Sequence, residues 1–215
     1  MCIIIPLQMV VMYYVDDADF IIQCDIASEF YRQIEMVLVE TQEHLMGNDR
    51  SIRLEDAQKW HQLLKRNRMI VGQIGSITKI PQLLSLLEVT GNLTVFLYSI
   101  FNLATSLNSP ENAFLKTTAG YTFVGLIRLH FKTRKAEQVT DAEGRVHDAL
   151  FALNEFPQAL EVQLELQGMR NTITATPARI AFGNYVVLHK GVLLSIFNQV
   201  VTYLIVLLQF DKSNS

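Results

Sequence analysis

The chain has 215 residues, of which 50% are hydrophobic and only 18% are charged. Soluble domains carry about 25% charged residues, so this composition and a mean hydropathy of +0.22 favour a membrane protein. The net charge of −3, without any block rich in Lys or Arg, argues against a nucleic-acid partner. The two cysteines, Cys2 and Cys24, form neither a disulfide framework nor a CxxC metal pair.

The first segment, residues 1–22, begins apolar and then contains Asp16, Asp17 and Asp19. Three acids are costly inside a complete membrane span, so we interpret the segment as a partial transmembrane helix. It lacks the basic n-region of a signal peptide. We expect the acids to mark a solvated helix end, and attraction of cations to a vestibule is the less favoured interpretation.

Residues 23–80 are predicted to form a cytosolic helical region. Apolar residues keep helical spacing up to a break at Asn48-Asp49, and a second amphipathic helix is predicted from Leu54 to Ile77. The Gly72–Gly75 stretch has neither the strand nor the phosphate-binding context of a nucleotide loop. A structural or loop role is therefore expected for its glycines.

Two membrane spans are predicted next. The run from Val89 to Pro110 has no charge and is long enough to cross a hydrocarbon core of about 30 Å, so residues 81–107 are predicted to form a transmembrane helix. Residues 108–112 form a short turn. Residues 113–131 form a weaker span with Lys116 and Arg128 near its ends, where both side chains are expected to snorkel towards water.

Residues 132–187 are predicted to form a second cytosolic helical region. The stretch is charged and compatible with a helix up to Asn154, and Pro157 permits a new helix start. An irregular link is expected over 172–177. The closing helix is expected to begin near Val186.

The last predicted span, residues 188–210, is uncharged from Gly191 to Phe210 and is followed by a short tail, 211–215. Polar residues recur along it at helical spacing. Lipid offers no hydrogen-bond partners, so this polar stripe must face protein or water. On these residues alone, packing between helices is favoured over a pore. The stripe consists of Ser195, Asn198, Gln199, Thr202 and Gln209.

The end of this helix reads Thr202-Tyr203, five apolar residues, then Gln209-Phe210. This ending resembles the final transmembrane helix of insect gustatory receptors, a seven-helix chemoreceptor family related to insect odorant receptors. The match is specific at these nine positions. Elsewhere, from about Asp25 onward, the resemblance lies in organisation and covers the second half of such a receptor.

The resemblance implies a fold and a function. The fold is all-α, a polytopic transmembrane helix bundle with long cytosolic helical extensions that hold the subunits together. The function is that of a taste receptor subunit, a ligand-gated non-selective cation channel of sensory neurons, without enzymatic activity or a cofactor. The implied partners are a tastant, the lipid bilayer and other gustatory receptor subunits in a homo- or hetero-tetramer. Leu204 stands where sugar-sensing members tend to carry an acid, which disfavours sugar.

The resemblance also shifts the interpretation of the last helix towards pore lining or pore support. Gln209 is then a candidate for contact with permeating ions near the outer mouth, and Val206 with Leu207 for a hydrophobic constriction that gates by dewetting. Tyr203 fits packing equally well. The complete set of pore-lining or gate candidates is Ser195, Asn198, Gln199, Thr202, Tyr203, Val206, Leu207 and Gln209, and the family motif is Thr202, Tyr203, Gln209 and Phe210.

The distribution of Lys and Arg predicts the topology. Most of these residues lie in 23–80 and 132–190, whereas the turn at 108–112 has none. By the positive-inside rule, the two long regions are cytosolic, and the turn and the C-terminal tail are extracellular. We therefore expect a multi-pass protein of the plasma membrane.

Other interpretations remain open at this point. An odorant receptor of the same superfamily has a similar organisation, although the ending fits gustatory receptors better. A carrier would show an inverted repeat with broken helices, which the sequence lacks. The third interpretation is a truncated product that lacks the first helices and has no activity of its own. Catalysis and metal binding are not indicated, because the five histidines are scattered and no HExxH, Walker or GxSxG motif occurs.

Overall fold

The computed structural model describes residues 4–47, 51–105, 112–183 and 185–213, and these are mostly helical. The predicted all-α class is confirmed at this level. The elements are α1 (Ile4–Gly47), α2 (Leu54–Ile77), α3 (Lys79–Thr105), α4 (Asn112–Leu153), α5 (Leu160–Ala175), β1 (Ala181–Phe182), β2 (Val186–Val187) and α6 (Gly191–Ser213).

Several helix ends agree with the sequence analysis. α2 has the predicted bounds, and α1 ends at Gly47, immediately before the predicted break. The break itself, at Asn48-Asp49, lies outside the described residues, as do most of the predicted turn at 108–112 and the last two residues of the tail. α4 runs without interruption across the predicted boundary between 131 and 132.

Two predicted boundaries before the last helix are wrong. α5 continues to Ala175, although an irregular link was expected from residue 172. The hydroxyls of Thr172 and Thr174 donate to the carbonyls of Gly168 and Arg170, at 2.8 and 3.0 Å, which keeps both threonines within the helix. α6 begins at Gly191 rather than near Val186, because Val186 belongs to a strand.

A short antiparallel hairpin, which the sequence analysis did not predict, precedes α6. Phe182 pairs with Val186 and Ala181 with Val187. Gly183 has a positive φ of 61°, which a glycine adopts without steric cost in the turn. Phe182 is buried, and its ring lies 6.0 Å from that of Phe20. Burial of this side chain anchors the hairpin.

The chain divides into two compact units. Unit 1 contains residues 1–17, 79–134 and 189–215, and unit 2 contains residues 18–78 and 135–188.

In unit 1, α3 and α6 pack against each other. Val192, Ile196 and Val200 of α6 are buried at a spacing of four residues, as expected for one face of a helix. The apolar face of α6 that contacts the rest of unit 1 is therefore narrow.

α4 approaches α3 closely at Gly125, where a Cβ atom would come within 3.1 Å of the Val89 side chain.

In unit 2, a buried polar cluster joins α1, α2 and α4. Glu143, only 1% exposed, accepts hydrogen bonds from the Tyr31 hydroxyl at 3.2 Å and from the Ala178 amide, and its carboxylate lies 3.4 Å from Arg68. Burial raises the pKa of Glu143, while the Ala178 amide and Arg68 oppose that rise. Burial likewise raises the pKa of Cys24 to about 12, so this thiol stays protonated at neutral pH.

α2 also packs against β1, and Gly75 makes this contact possible. A Cβ atom at Gly75 would overlap the backbone carbonyl of Ala181. The space around Gly72, one turn earlier, is open. The glycines of the 72–75 stretch therefore lie within a helix, and Gly75 has a packing role.

Candidate functional site: the polar face of the last helix

The polar stripe of α6 is exposed in this single chain. Ser195, Asn198, Gln199, Thr202 and Gln209 are all exposed. Four apolar residues off the stripe are less exposed, since Ile196 is buried and Leu193, Leu204 and Leu208 are partly buried. The apolar face of α6 packs within unit 1, and the polar face remains accessible.

The residues at the centre of the exposed polar face lie close together around the helix axis. At about 100° per residue, Ser195, Thr202 and Val206 lie within about 40° of one another around the helix axis. Asn198 and Gln209 flank them on one side. Val206 thus shares the polar face. In this position, copies of Val206 from several subunits could form a hydrophobic ring within a water-filled path.

Tyr203 and Leu207 occupy a different position. Both are exposed, with 52% and 45% of their surface accessible. At about 100° per residue they lie on the same side of the helix as Ile196 and Val200, further towards the end of α6, where that side is exposed. Leu207 therefore does not share a face with Val206, its predicted partner in a gate. Phe210, the last residue of the family motif, belongs to α6, and its side chain lies outside the described part of the chain.

The hydrogen bonds of the stripe stay within α6. The Thr202 hydroxyl donates to the carbonyl of Asn198 at 2.9 Å, and the Gln199 amide donates to the Tyr203 hydroxyl at 3.3 Å. The oxygen of Thr202 retains lone pairs that can accept from water or from a neighbouring chain. Such a face can solvate a permeating cation or bind another polar helix.

Two helices of the described residues are long and apolar enough to cross a membrane. They are Lys79–Phe101, with a mean hydropathy of 1.5, and Gly191–Gln209, with a mean hydropathy of 2.1. Only 22% and 17% of these windows are buried. A core helix of a soluble protein would be mostly covered, whereas these helices expose most of their apolar surface in the single chain.

The third predicted span, residues 113–131, is not among these candidates. Its threonines, its glycines and Arg128 lower the mean hydropathy of the segment. The segment nevertheless exposes large side chains, with Phe114, Tyr121 and Phe123 each about 60% accessible. This exposure fits contact with lipid, although composition alone does not identify a span.

A buried charged cluster in unit 1 corrects two predictions from the sequence. Asp17, expected at a solvated helix end, is only 7% exposed, and its carboxylate binds Arg128 at 2.6 Å and Lys132 at 2.9 Å. Arg128, expected to snorkel towards water, is instead largely buried in this ion pair and stacks on the ring of Tyr14.

Lys132 lies at the centre of this cluster. Its ammonium group also donates to the side-chain oxygens of Gln82 and Ser85, at 2.8 and 2.9 Å. Burial lowers the pKa of Lys132, and the neighbouring Asp17 carboxylate opposes that shift. Asp17 thus pairs with both buried cations, and two polar side chains also accept hydrogen bonds from Lys132. The sequence contains no local signal for this, because the partners lie 47 to 115 positions apart.

Sequence comparison does not assign the chain to a family. No protein-family model matches the chain, and no curated protein matches it by sequence. The described residues contain no group of three or more His, Cys, Asp or Glu side chains that could hold a metal ion. One histidine pairing that the sequence analysis missed is that of His61 Nδ1 with Glu165 Oε2, at 2.7 Å in unit 2.

Proposed function

We propose that the chain belongs to a multi-pass plasma-membrane protein and forms a subunit of a ligand-gated, non-selective cation channel of the insect gustatory receptor type. The observation that carries this proposal is the exposed polar face of α6 on an otherwise apolar, largely uncovered helix. Polar side chains in a lipid environment need partners. Copies of this face around a common axis would supply a water-filled path that satisfies them.

The arrangement within unit 1 supports alternating spans. The side chains of Asp17, Gln82 and Lys132 meet. Three segment ends therefore lie together at one end of unit 1, called the common end: the end of the predicted first span, the start of α3 and the end of the predicted span in α4. Leu193, near the start of α6, lines a shared pocket with His130 of α4. The four segments therefore alternate in direction.

The charges at that common end support its assignment to the cytosol. The cations at or next to the ends of the proposed spans that meet there are Lys79, Lys132, Arg134 and Lys190. The opposite ends carry fewer cations. By the positive-inside rule, the common end is cytosolic and α6 ends outside.

Gating in this proposal is a population shift. A tastant that binds the open arrangement of the spans better than the closed one shifts the equilibrium towards the open channel. The face of α6 that carries Val206 then changes from a dry constriction to a wetted one. A tetramer, as the resemblance to gustatory receptors implies, would place four copies of this face around the pore.

The experiment compares Gln209→Lys with Leu208→Ala in a ligand-responsive channel assembly that carries this chain. Whole-cell current is recorded with ion substitution at matched surface expression. A ring of positive charge near the outer mouth repels cations, so Gln209→Lys should lower cation conductance or shift the reversal potential. Leu208, which is partly buried, is the control and should affect expression more than selectivity. Unchanged conductance and reversal potential in Gln209→Lys would assign the stripe to helix packing.

A further inference from the structure

A groove in unit 2 lies between α1 and α2 and has a volume of about 500 Å³. This volume is within the range of small-molecule sites, roughly 300–1,000 Å³. Its walls are mainly apolar and include Phe30, Val37, Trp60 and Leu63. Phe30 and Val37 belong to the apolar residues that keep helical spacing in α1, and each is more than 40% exposed where it borders this groove.

One side chain of the groove lining carries a buried acceptor without a hydrogen-bond partner among the described residues. Asn67 is 3% exposed and lines the groove. Its amide nitrogen donates to the carbonyl of Ala27 at 3.1 Å, which fixes the orientation of the amide. Its Oδ1 atom is buried and has no hydrogen-bond partner among the described residues. Leaving a buried acceptor without a hydrogen bond is unfavourable, and a ligand that donates a hydrogen bond to it would satisfy it.

The charged groups on the groove are cationic. Lys59 and Arg66 line it, and the described lining contains no acid. Lys59 already pairs with Asp56 at 3.4 Å, so Arg66, which is exposed, is the stronger candidate for an incoming anion. Arg binds carboxylates and other oxyanions in a planar, two-pronged geometry.

We propose that this groove binds a small amphipathic organic anion with an aromatic or alkyl body and one hydrogen-bond donor. The body packs against Trp60 and Leu63, the donor binds Asn67 Oδ1, and the anionic group pairs with Arg66. The site is formed by unit 2 alone and does not depend on the proposed channel function.

The probe is dansylglycine, which has a naphthalene ring, a sulfonamide N–H and a carboxylate. The full-length chain is reconstituted into neutral phosphatidylcholine vesicles, with empty vesicles as background. Trp60 is the only tryptophan in the chain, so energy transfer from tryptophan to the dansyl group reports binding at this groove. Saturable transfer is expected. Transfer that is absent, or that rises linearly with probe as partition into lipid would, overturns the proposal.

Two variants test the two polar contacts. Arg66→Gln should weaken dansylglycine binding about threefold to fivefold, the scale of one exposed ion pair. The matched control is Lys65→Gln, which removes an exposed charge from the next residue, outside the groove lining, and should leave the affinity unchanged. Asn67→Leu should weaken binding about tenfold, because the donor loses its acceptor.

An uncharged probe separates the anion contact from apolar binding. Dansylamide keeps the ring and the donor but lacks the carboxylate. It should bind the parent chain more weakly than dansylglycine and should not respond to Arg66→Gln. Equal effects of Arg66→Gln and Lys65→Gln on dansylglycine, or equal effects of Arg66→Gln on both probes, would overturn the proposal. If Asn67→Leu loses helix content by circular dichroism, the Arg66 comparison alone decides.

Discussion

Asp17 pairs with two buried cations, and the local sequence does not predict these partners. Its carboxylate lies within 3 Å of both Arg128 and Lys132. In the sequence, it is one of three acids that follow an apolar stretch, which is the usual pattern of a helix end in water. The partners are more than 100 positions away and belong to another helix, so helical periodicity contains no information about the pairing.

We predict that Asp17→Asn destabilises the protein by about 3–5 kcal/mol, because it removes the carboxylate that pairs with the buried Arg128 and Lys132 side chains. The control is Asp19→Asn, since Asp19 is exposed and its hydrogen bond from Gln23 can be accepted by the Asn carbonyl. That change should cost less than about 0.5 kcal/mol. Chemical unfolding in a mild detergent, followed by circular dichroism, measures both. Equal stabilities of the two variants would mean that the ion pair contributes nothing to the fold.

At the scale of elements, the sequence predicts helices better than the connections between them. The amphipathic pattern from Leu54 to Ile77 gives α2 its observed bounds, because apolar and charged residues alternate there with a clear helical period. The hairpin before α6 was missed. Each strand has only two residues, which is too short for an alternating pattern, and the pairing depends on burial of Phe182 in unit 2.

The spacing of polar residues predicts the polar stripe of α6. It does not predict that the stripe is exposed. Periodicity places Ser195 and Thr202 on one face of a helix, but it does not tell which face the rest of the chain covers. The structure leaves the polar face uncovered because α6 packs through Ile196 and Val200. Spacing alone does distinguish Val206, which shares the stripe, from Leu207, which does not, because consecutive residues lie about 100° apart around the helix axis.

The contact between α2 and the hairpin yields a second prediction. Gly75→Ala places a methyl group against the Ala181 backbone, which cannot move without disturbing β1. We expect a loss of about 1–3 kcal/mol, typical of overpacking. Gly72→Ala is the control. The space around Gly72 is open, and alanine favours a helix interior by up to about 1 kcal/mol over glycine, so that variant should be neutral or more stable. Thermal unfolding followed by circular dichroism compares the two, and equal midpoints would contradict the close packing.

At the scale of the whole molecule, the Lys and Arg distribution predicts that Asn108 and Ser215 are extracellular and that Lys135 is cytosolic. Single cysteines at these positions, in a chain with Cys2 and Cys24 replaced, test this on intact cells. An impermeant thiol reagent should label positions 108 and 215 directly and position 135 only after permeabilisation. The opposite pattern would invert the topology, and labelling of all three positions on intact cells would show that the segments between them do not span the membrane as proposed.

The central claim is that the polar face of α6 lines a water-filled path in the assembled protein. The most direct measurement is the rate at which a water-soluble, positively charged thiosulfonate reagent modifies single cysteines along α6 during ligand-evoked current. Positions 195, 202 and 206 lie on the polar face, and positions 194 and 197 lie off it but are equally exposed in the single chain. We predict fast modification with loss of cation current at 195, 202 and 206, and slow modification without loss at 194 and 197. Equal rates at all five positions, or faster reaction at 194 and 197, would contradict the account.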